Sequence, residues 1–158
     1  LLKVVGELSL VAGAPGLVGG QVVDLESEGK DVDLDTLEYI HLHKTGALLS
    51  ACVITGAMIG GADEALISAL RVYARGIGLA FQIIDDILDI TASSEVLGKT
   101  AGKDLVADKT TYPKLLGLEE SRRRADALVG EAKDVLRPWQ QGAGPLLALA
   151  DFITSRDR

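Results

Sequence analysis

Three aspartates at the end of the most apolar run in the chain constrain its fold and chemistry more than any other feature. The run covers residues 81–89 and reads FQIIDDILD. On a helix, Asp85 and Asp89 lie one turn apart on one face, and Asp86 lies about 100° round from Asp85. Acidic groups at a helix C-terminus face the negative end of its dipole, which is unfavourable. A divalent cation offsets this cost, and Mg²⁺ commonly takes one or two carboxylates together with water and phosphate oxygens. On this pattern alone, a solvated acidic helix end is the better explanation.

Lysines and hydroxyls around the acidic motif change that balance. The sequence GKTAGKD covers residues 98–104, DKTT covers 108–111, and Lys44-Thr45 lies on the preceding predicted helix. Direct lysine charge and a bridging metal ion are two ways in which proteins hold phosphate groups. The combination therefore predicts a site for a diphosphate bound with Mg²⁺.

These motifs together resemble a known family. FQxxDDxxD, followed by GKxxGKDxxxxK and preceded by a KT pair, resembles the C-terminal half of the trans-prenyl diphosphate synthases, which include the farnesyl and geranylgeranyl diphosphate synthases. Residues 97–118 (LGKTAGKDLVADKTTYPKLLGL) are most similar to the geranylgeranyl type of plants and bacteria. The resemblance covers nearly the whole chain. It implies an all-α isoprenoid (polyprenyl) synthase helical bundle, of which residues 1–158 are the C-terminal half of a single domain. The N-terminal half, with the family's first aspartate-rich motif, is expected to be absent from this sequence.

The resemblance also implies roles for particular residues. Asp85, Asp86 and Asp89 are expected to bind Mg²⁺, with two or three ions in each active site of the full enzyme. The expected catalytic and substrate-binding residues are Lys44, Thr45, Gln82, Lys99 and Lys109, together with Phe81 and Gln21 at the cavity. From the residues alone several interpretations stay open. A buried Gln82 needs a hydrogen-bond partner, such as Asp85. Phe81 belongs either to the hydrophobic core or to the cavity wall. Gln21 and Asp24 share a helix face, so they form a polar pair either in the site or on the surface. Whether Lys103 and Asp104 contact substrate stays open.

The implied reaction is the condensation of an allylic diphosphate with isopentenyl diphosphate to a short-chain prenyl diphosphate, geranylgeranyl diphosphate first among them. One alternative is a regulatory subunit of a heteromeric synthase, although such subunits usually have degraded aspartate motifs. A terpene cyclase fits less well, because its aspartate motif lies in the first half of the domain. Nucleotide binding is also disfavoured: residues 93–100 (SSEVLGKT) lack the first glycine of a P-loop and follow a helix rather than a strand.

Composition sets broader limits. The chain has 47% hydrophobic and only 4% aromatic residues, which favours packed helices, and its net charge of −7 disfavours nucleic acid as a partner. No run reaches roughly 18 uncharged apolar residues, so no membrane span is predicted. We expect a soluble protein, in the plastid stroma if from a plant and otherwise cytoplasmic. It is expected to form a homodimer, or a heterodimer with a related subunit.

Apolar periodicity, glycines and prolines predict the helices. A helical pattern begins at the N-terminus and is broken by Gly13, Pro15 and Gly16. Further helices are expected over 17–28, 34–59, 64–89, 121–137 and 145–155, with Asp33 or Asp35 and Asp63 as N-caps. His41 and His43 are interpreted as surface or interface residues, because positions i and i+2 do not share a helix face. Cys52 is expected to be packed among apolar neighbours, and the run 122–124 (RRR) to be solvated.

Overall fold

The computed structural model describes residues 1–97 and 109–156, and over these residues it contains helices but no strand. The all-α fold class is therefore confirmed. The α-helices are α1 (Leu2–Ala12), α2 (Leu17–Glu26), α3 (Leu34–Ile40), α4 (Ala47–Ile59), α5 (Glu64–Leu97), α6 (Tyr112–Leu116), α7 (Leu118–Val135) and α8 (Gly144–Ser155). A π-helical segment (His41–Gly46) joins α3 to α4, and a 3₁₀ turn (Arg137–Trp139) follows α7. Lys99, Lys103 and Asp104 lie outside the described residues.

Local capping chemistry explains where several helices begin and end. The Asp33 side chain accepts a hydrogen bond from the Thr36 amide at 2.9 Å, so Asp33 rather than Asp35 is the N-cap of α3. Asp63 accepts one from the Leu66 amide at 2.8 Å, as predicted. Gly61 has a φ of +79° just after α4, a conformation that favours glycine. Two differences from the sequence-based helices bear on the site: α5 extends past Asp89 to Leu97, and α6 lies where the sequence predicts no helix.

The helix predicted over residues 34–59 is interrupted by the π-helical segment. A π-type turn is rare and frequently marks a functional site. Here it carries Lys44 and Thr45, and it ends at Gly46, where α5 comes very close. A Cβ atom on Gly78 of α5 would lie 3.2 Å from the Gly46 Cα. The two glycines therefore let the π segment and α5 pack backbone against backbone.

Helix α5 is the centre of the bundle and packs against α4, α7, α8 and the π segment. Tyr73, Ile83 and Ile87 are completely buried along its length, as the apolar run predicts. The Tyr73 hydroxyl donates to the Leu146 carbonyl at 2.7 Å, which ties α5 to α8. Burial raises the pKa of Tyr73 to about 12. The acidic motif is thus carried by the most firmly packed helix in the described structure.

The other side of the bundle leaves apolar residues in solvent. Exposed large side chains on α1, α2 and α4 are Leu2, Val5, Leu8, Leu10, Val18, Val22, Leu25, Leu48, Leu49 and Ile59. Cys52 on α4 is also exposed, so its predicted burial is wrong. By length and composition alone, the stretches Leu2–Glu26, Leu34–Ile59 and Glu64–Thr91 are apolar enough to cross a membrane when up to two charges are tolerated. The prediction of no span counted only uncharged runs, and the third stretch is 61% buried within the bundle.

Candidate active site

A cavity of about 1170 Å³ lies between α2, the π segment, the C-terminal part of α5 and the start of α6. Its described lining contains five carboxylates and three lysines: Asp24, Glu28, Asp85, Asp86, Asp89, Lys44, Lys109 and Lys114. We call Asp85, Asp86 and Asp89 on α5 the acidic wall. Asp24, Lys44 and Lys109, which are joined by ion pairs, form the lysine wall of the same cavity. Carboxylates outnumber lysines, so the site as built suits additional cations.

The lysine wall is organised around Asp24 of α2. Lys44 Nζ lies 2.6 Å from Asp24 Oδ2, and Lys109 Nζ lies 3.4 Å from Oδ1. Burial by itself raises the pKa of Asp24, but the hydrogen bond from Lys44 and the charge of Lys109 outweigh it, so this pKa lies below its usual range. Asp24 is therefore ionised, and it holds two lysines side by side at the cavity.

Gly20 of α2 fixes the position of Lys44. A Cβ atom at Gly20 would lie 2.3 Å from the Lys44 backbone nitrogen, which is far inside van der Waals contact. Only a residue without a side chain lets α2 and the π segment meet at this distance. The glycine one turn before Asp24 thus sets how closely Asp24 and Lys44 approach each other.

On the acidic wall, Asp86 is held from two sides. His41 Nε2 lies 3.2 Å from Asp86 Oδ2, and the backbone N–H of Tyr112 donates to the same oxygen at 2.9 Å. The side chains of His41 and Asp86 are only 10% and 14% exposed. The interpretation of His41 as a surface or interface residue is therefore wrong: the π segment turns its ring inward to Asp86.

A second layer of contacts holds Tyr112 in place. Its ring is completely buried and stacks on His41, with ring centroids 5.7 Å apart. Its hydroxyl donates to Glu38 Oε1 at 2.9 Å, and Arg124 donates to the same oxygen. Burial and the neighbouring Glu38 raise the pKa of Tyr112. Arg124 consequently takes part in a partly buried network, which corrects its assignment to a wholly solvated basic run.

Asp85 has different partners. Gln82 Nε2 lies 3.3 Å from Asp85 Oδ2, and Thr45 Oγ1 lies 3.4 Å from Gln82 Oε1, so the contact expected between Gln82 and Asp85 is present. Arg156, directly after α8, donates from Nη2 to Asp85 Oδ1 at 2.8 Å. Its guanidinium lies over the Phe81 ring at 4.3 Å from the centroid. Phe81 packs against the core beneath it.

The Mg²⁺ that the resemblance implies would take its protein ligands from the acidic wall. Across the part of the chain that the structure describes, no three His, Cys, Asp or Glu side chains converge as a ready-made metal cluster. Asp85 and Asp89 nevertheless line one cavity one turn apart on α5, and one or two carboxylates are what Mg²⁺ takes in sites completed by phosphate and water. The residues fit an ion held by Asp85 and Asp89, while Asp86 is engaged by His41 and Tyr112.

Only some of the remaining predicted residues line the cavity. Lys44, Thr45, Gln82 and Lys109 line the cavity, whereas Gln21 and Phe81 are not among the described lining residues. Sequence reasoning did not find His41, Tyr112 or Arg156. The Tyr112-Pro113 pair carries a weak signal, since proline favours the first turn of a helix. We see no local signal for Arg156, because its contact with Asp85 joins residues 71 positions apart.

Comparison with known proteins agrees with this geometry. Residues 4–137 match the family model described as polyprenyl synthetase, and the chain belongs to that family. It is 57% identical, over 99% of its length, to a dimethylallyltranstransferase of Fischerella ambigua and to a chloroplastic geranylgeranyl pyrophosphate synthase of Catharanthus roseus. The crystal structure of a putative farnesyl-diphosphate synthase from a Marinomonas species superposes with a TM-score of 0.83 at 37% identity, over 97% of this chain. The helical bundle is thus the fold of the prenyl synthases.

The match covers only part of those proteins. The chain spans 45% and 44% of the two relatives and 52% of the Marinomonas protein. The activity, substrates and partners of the whole proteins therefore do not transfer to this chain directly.

Proposed function

We propose that this chain supplies the second half of the active site of a Mg²⁺-dependent trans-prenyltransferase. The enzyme joins an allylic diphosphate to isopentenyl diphosphate. The observation that carries the proposal is one cavity that Lys44 and Lys109 line together with Asp85 and Asp89. Cations for a diphosphate and carboxylates for its metal ion are required together in this chemistry. A merely solvated acidic helix end would not need two lysines in the same cavity.

In the proposed reaction, the bond between the allylic carbon and the diphosphate oxygen breaks, and its electron pair leaves with the diphosphate. Lys44 and Lys109 exchange Asp24 for diphosphate oxygens and stabilise the charge that grows there. The double bond of isopentenyl diphosphate then attacks the allylic carbon, and the proton lost from the adduct goes to the departing diphosphate. No side-chain base of this chain is needed.

The acidic wall prepares the cavity for this reaction. Asp85 and Asp89 would hold the Mg²⁺, which supplies Lewis-acid stabilisation to the leaving diphosphate. Gln82 and Thr45 orient Asp85 through their hydrogen bonds. His41 and the Tyr112 amide fix the orientation of the Asp86 carboxylate in a partly buried position.

The proposal includes a longer catalytic unit and a specific product. Since the relatives are about twice as long, we propose that another segment carries the family's first aspartate-rich motif. We expect the 158-residue chain alone to be inactive, because it brings only one of two acidic motifs. Geranylgeranyl diphosphate is the proposed product, supported by the name of the Catharanthus relative. That name also supports a plastid location.

The proposal also extends to assembly. The apolar residues exposed on α1, α2 and α4 are more than a solvated helix face needs, and we propose that they pack against further chain of the same family. A dimer, with a second copy or a related subunit, is the assembly we expect. Its mass in solution, measured by light scattering after size-exclusion chromatography, tests this part.

The activity is tested with the full-length protein, dimethylallyl diphosphate and radiolabelled isopentenyl diphosphate, with and without Mg²⁺. We expect labelled geranylgeranyl diphosphate only with the metal, and none from the isolated 158-residue chain. A labelled cyclic hydrocarbon would indicate a cyclase instead. A full-length protein that elongates no allylic diphosphate, alone or with a related subunit, would contradict the proposal.

A further inference from the structure

The contact between Arg156 and Asp85 is the least expected feature of the acidic wall. The arginine makes a single hydrogen bond to the carboxylate, from Nη2 to Oδ1 at 2.8 Å, rather than the two-pronged pair that suits a guanidinium. Its Nε is buried and has no hydrogen-bond partner in the described part of the chain. The side chain is 22% exposed. The guanidinium is therefore held at Asp85 although its own hydrogen bonding is incomplete.

The place that Arg156 occupies is the one that a metal ion at Asp85 requires. The other oxygen of Asp85, Oδ2, already accepts a hydrogen bond from Gln82 Nε2. A Mg²⁺ ion bound to Oδ1 would come within about 5 Å of the guanidinium nitrogen that binds the same oxygen. Two cations at that separation in a partly buried site repel each other strongly.

We propose that Arg156 is a positioning residue that serves as the counter-ion of Asp85 until a divalent cation binds, and that the cation displaces it. In the metal-free state it neutralises Asp85 and fixes the orientation of that carboxylate. When the metal ion arrives, the guanidinium leaves, and the end of α8 is released with it. This inference rests on the proposed metal site at Asp85 and adds a competition within the protein for that site.

Arg156 can leave Asp85 without unpacking α8 from the core. Ala150 and Ile153 are buried, whereas Phe152 on the same helix is 59% exposed. Lys133 Nζ of α7 lies 2.6 Å from Asp151 Oδ1, about one turn before the end of α8. Displacement of Arg156 thus costs its contacts with Asp85 and Phe81, while these anchors remain.

Metal affinity gives the decisive measurement. Mn²⁺ alone is titrated into the full-length protein, and free Mn²⁺ is followed by electron paramagnetic resonance. Because removal of the competitor favours the metal, we expect Arg156→Gln to tighten Mn²⁺ binding by about 5- to 50-fold. Arg156→Lys keeps the charge and should restore an affinity near that of the wild type. The matched control, Lys133→Gln, removes the other cation that anchors α8 and should leave the affinity unchanged.

Hydrogen exchange supplies a second reading that does not depend on activity. Amides in residues 150–156 should exchange faster when Mn²⁺ is added to the wild type. In Asp85→Asn they should exchange fast from the start, with no response to the metal.

Three outcomes would overturn the proposal. Unchanged affinity in Arg156→Gln would mean that Arg156 does not compete. Weaker binding would mean that it supports the metal site. Both would leave the proposed prenyltransferase intact. No Mn²⁺ binding by any of the proteins would remove this inference and the metal part of the proposed function together.

Discussion

The two walls of the cavity are held in opposite ways. On the acidic wall, Asp86 and His41 are 14% and 10% exposed, and a buried tyrosine stacks behind them. On the lysine wall, Lys44 and Lys109 are 35% and 48% exposed and share one carboxylate. Ion pairs at such exposure are weak, so the lysines can leave Asp24 for a substrate phosphate at small cost. Asp86 is fixed in advance by buried partners, whereas the lysines are kept ready to exchange partners.

The largest expected effect comes from the acidic wall. In the full-length protein, Asp85→Ala should lower kcat by about 10²–10³, because it removes stabilisation that grows as the diphosphate leaves. KM for isopentenyl diphosphate should change far less. Steady-state kinetics measure both, and Asp126→Ala, an exposed aspartate on α7, is the control. A kcat within about threefold of the wild type would exclude Asp85 from the metal site.

The second effect concerns the geometry that joins α2 to the π segment. Gly20→Ala places a methyl group against the Lys44 backbone, so we expect a loss of about 1–3 kcal/mol in unfolding free energy and a raised KM for the allylic diphosphate. Gly6→Ala is the matched control: its Cβ meets nothing within 4 Å, and it should stabilise α1 by up to about 1 kcal/mol. Urea unfolding compares the two. Equal stabilities would show that the close approach at Gly20 does not constrain the site.

Within the lysine wall the two lysines should differ. Lys44 is closer to Asp24 and less exposed than Lys109. Lys44→Ala should weaken binding of the allylic diphosphate by about 10- to 100-fold, and Lys109→Ala by no more than about fivefold. Calorimetric titration with a non-hydrolysable analogue in the presence of Mg²⁺ measures both. The reverse order would indicate that Lys109 makes the principal contact.

Lys99 is expected to have a smaller effect, and it remains a prediction from the sequence. A lysine between glycines after the acidic helix can fold over a bound diphosphate and exclude water. Lys99→Ala should therefore weaken the same analogue by up to about fivefold, and ATP should bind neither protein. Equal affinities would leave Lys99 as an ordinary surface lysine. Tight ATP binding by the wild type would support a P-loop instead.

The sequence predicted the parts of the site that lie on one helix or in one motif. Asp85, Gln82 and the N-cap Asp63 follow from local periodicity and capping chemistry, and the fold class follows from the motifs that carry the family resemblance. The π segment was missed because a continuous apolar stripe over residues 34–59 fits an ordinary α-helix equally well. His41 was misplaced for the same reason, since the turn of the π segment decides which way its ring points.

The smallest effect is a pH dependence that separates Asp24 from the rest of the bundle. Because the folded-state pKa of Asp24 is lowered, its contribution to stability is present above the ordinary aspartate pKa of about 3.9. It is lost as the pH falls through the lowered folded value. The difference in unfolding free energy between wild type and Asp24→Asn, at most about 1 kcal/mol for pairs this exposed, should therefore shrink between pH 5 and the acid limit.

Glu7, whose hydrogen bond from Arg71 also lowers its pKa, is the comparison. Glu7→Gln should lose its effect at slightly higher pH, because the ordinary pKa of glutamate is about 4.3. A difference for Asp24→Asn that grows on acidification would mean that Lys44 and Lys109 do not stabilise the ionised carboxylate.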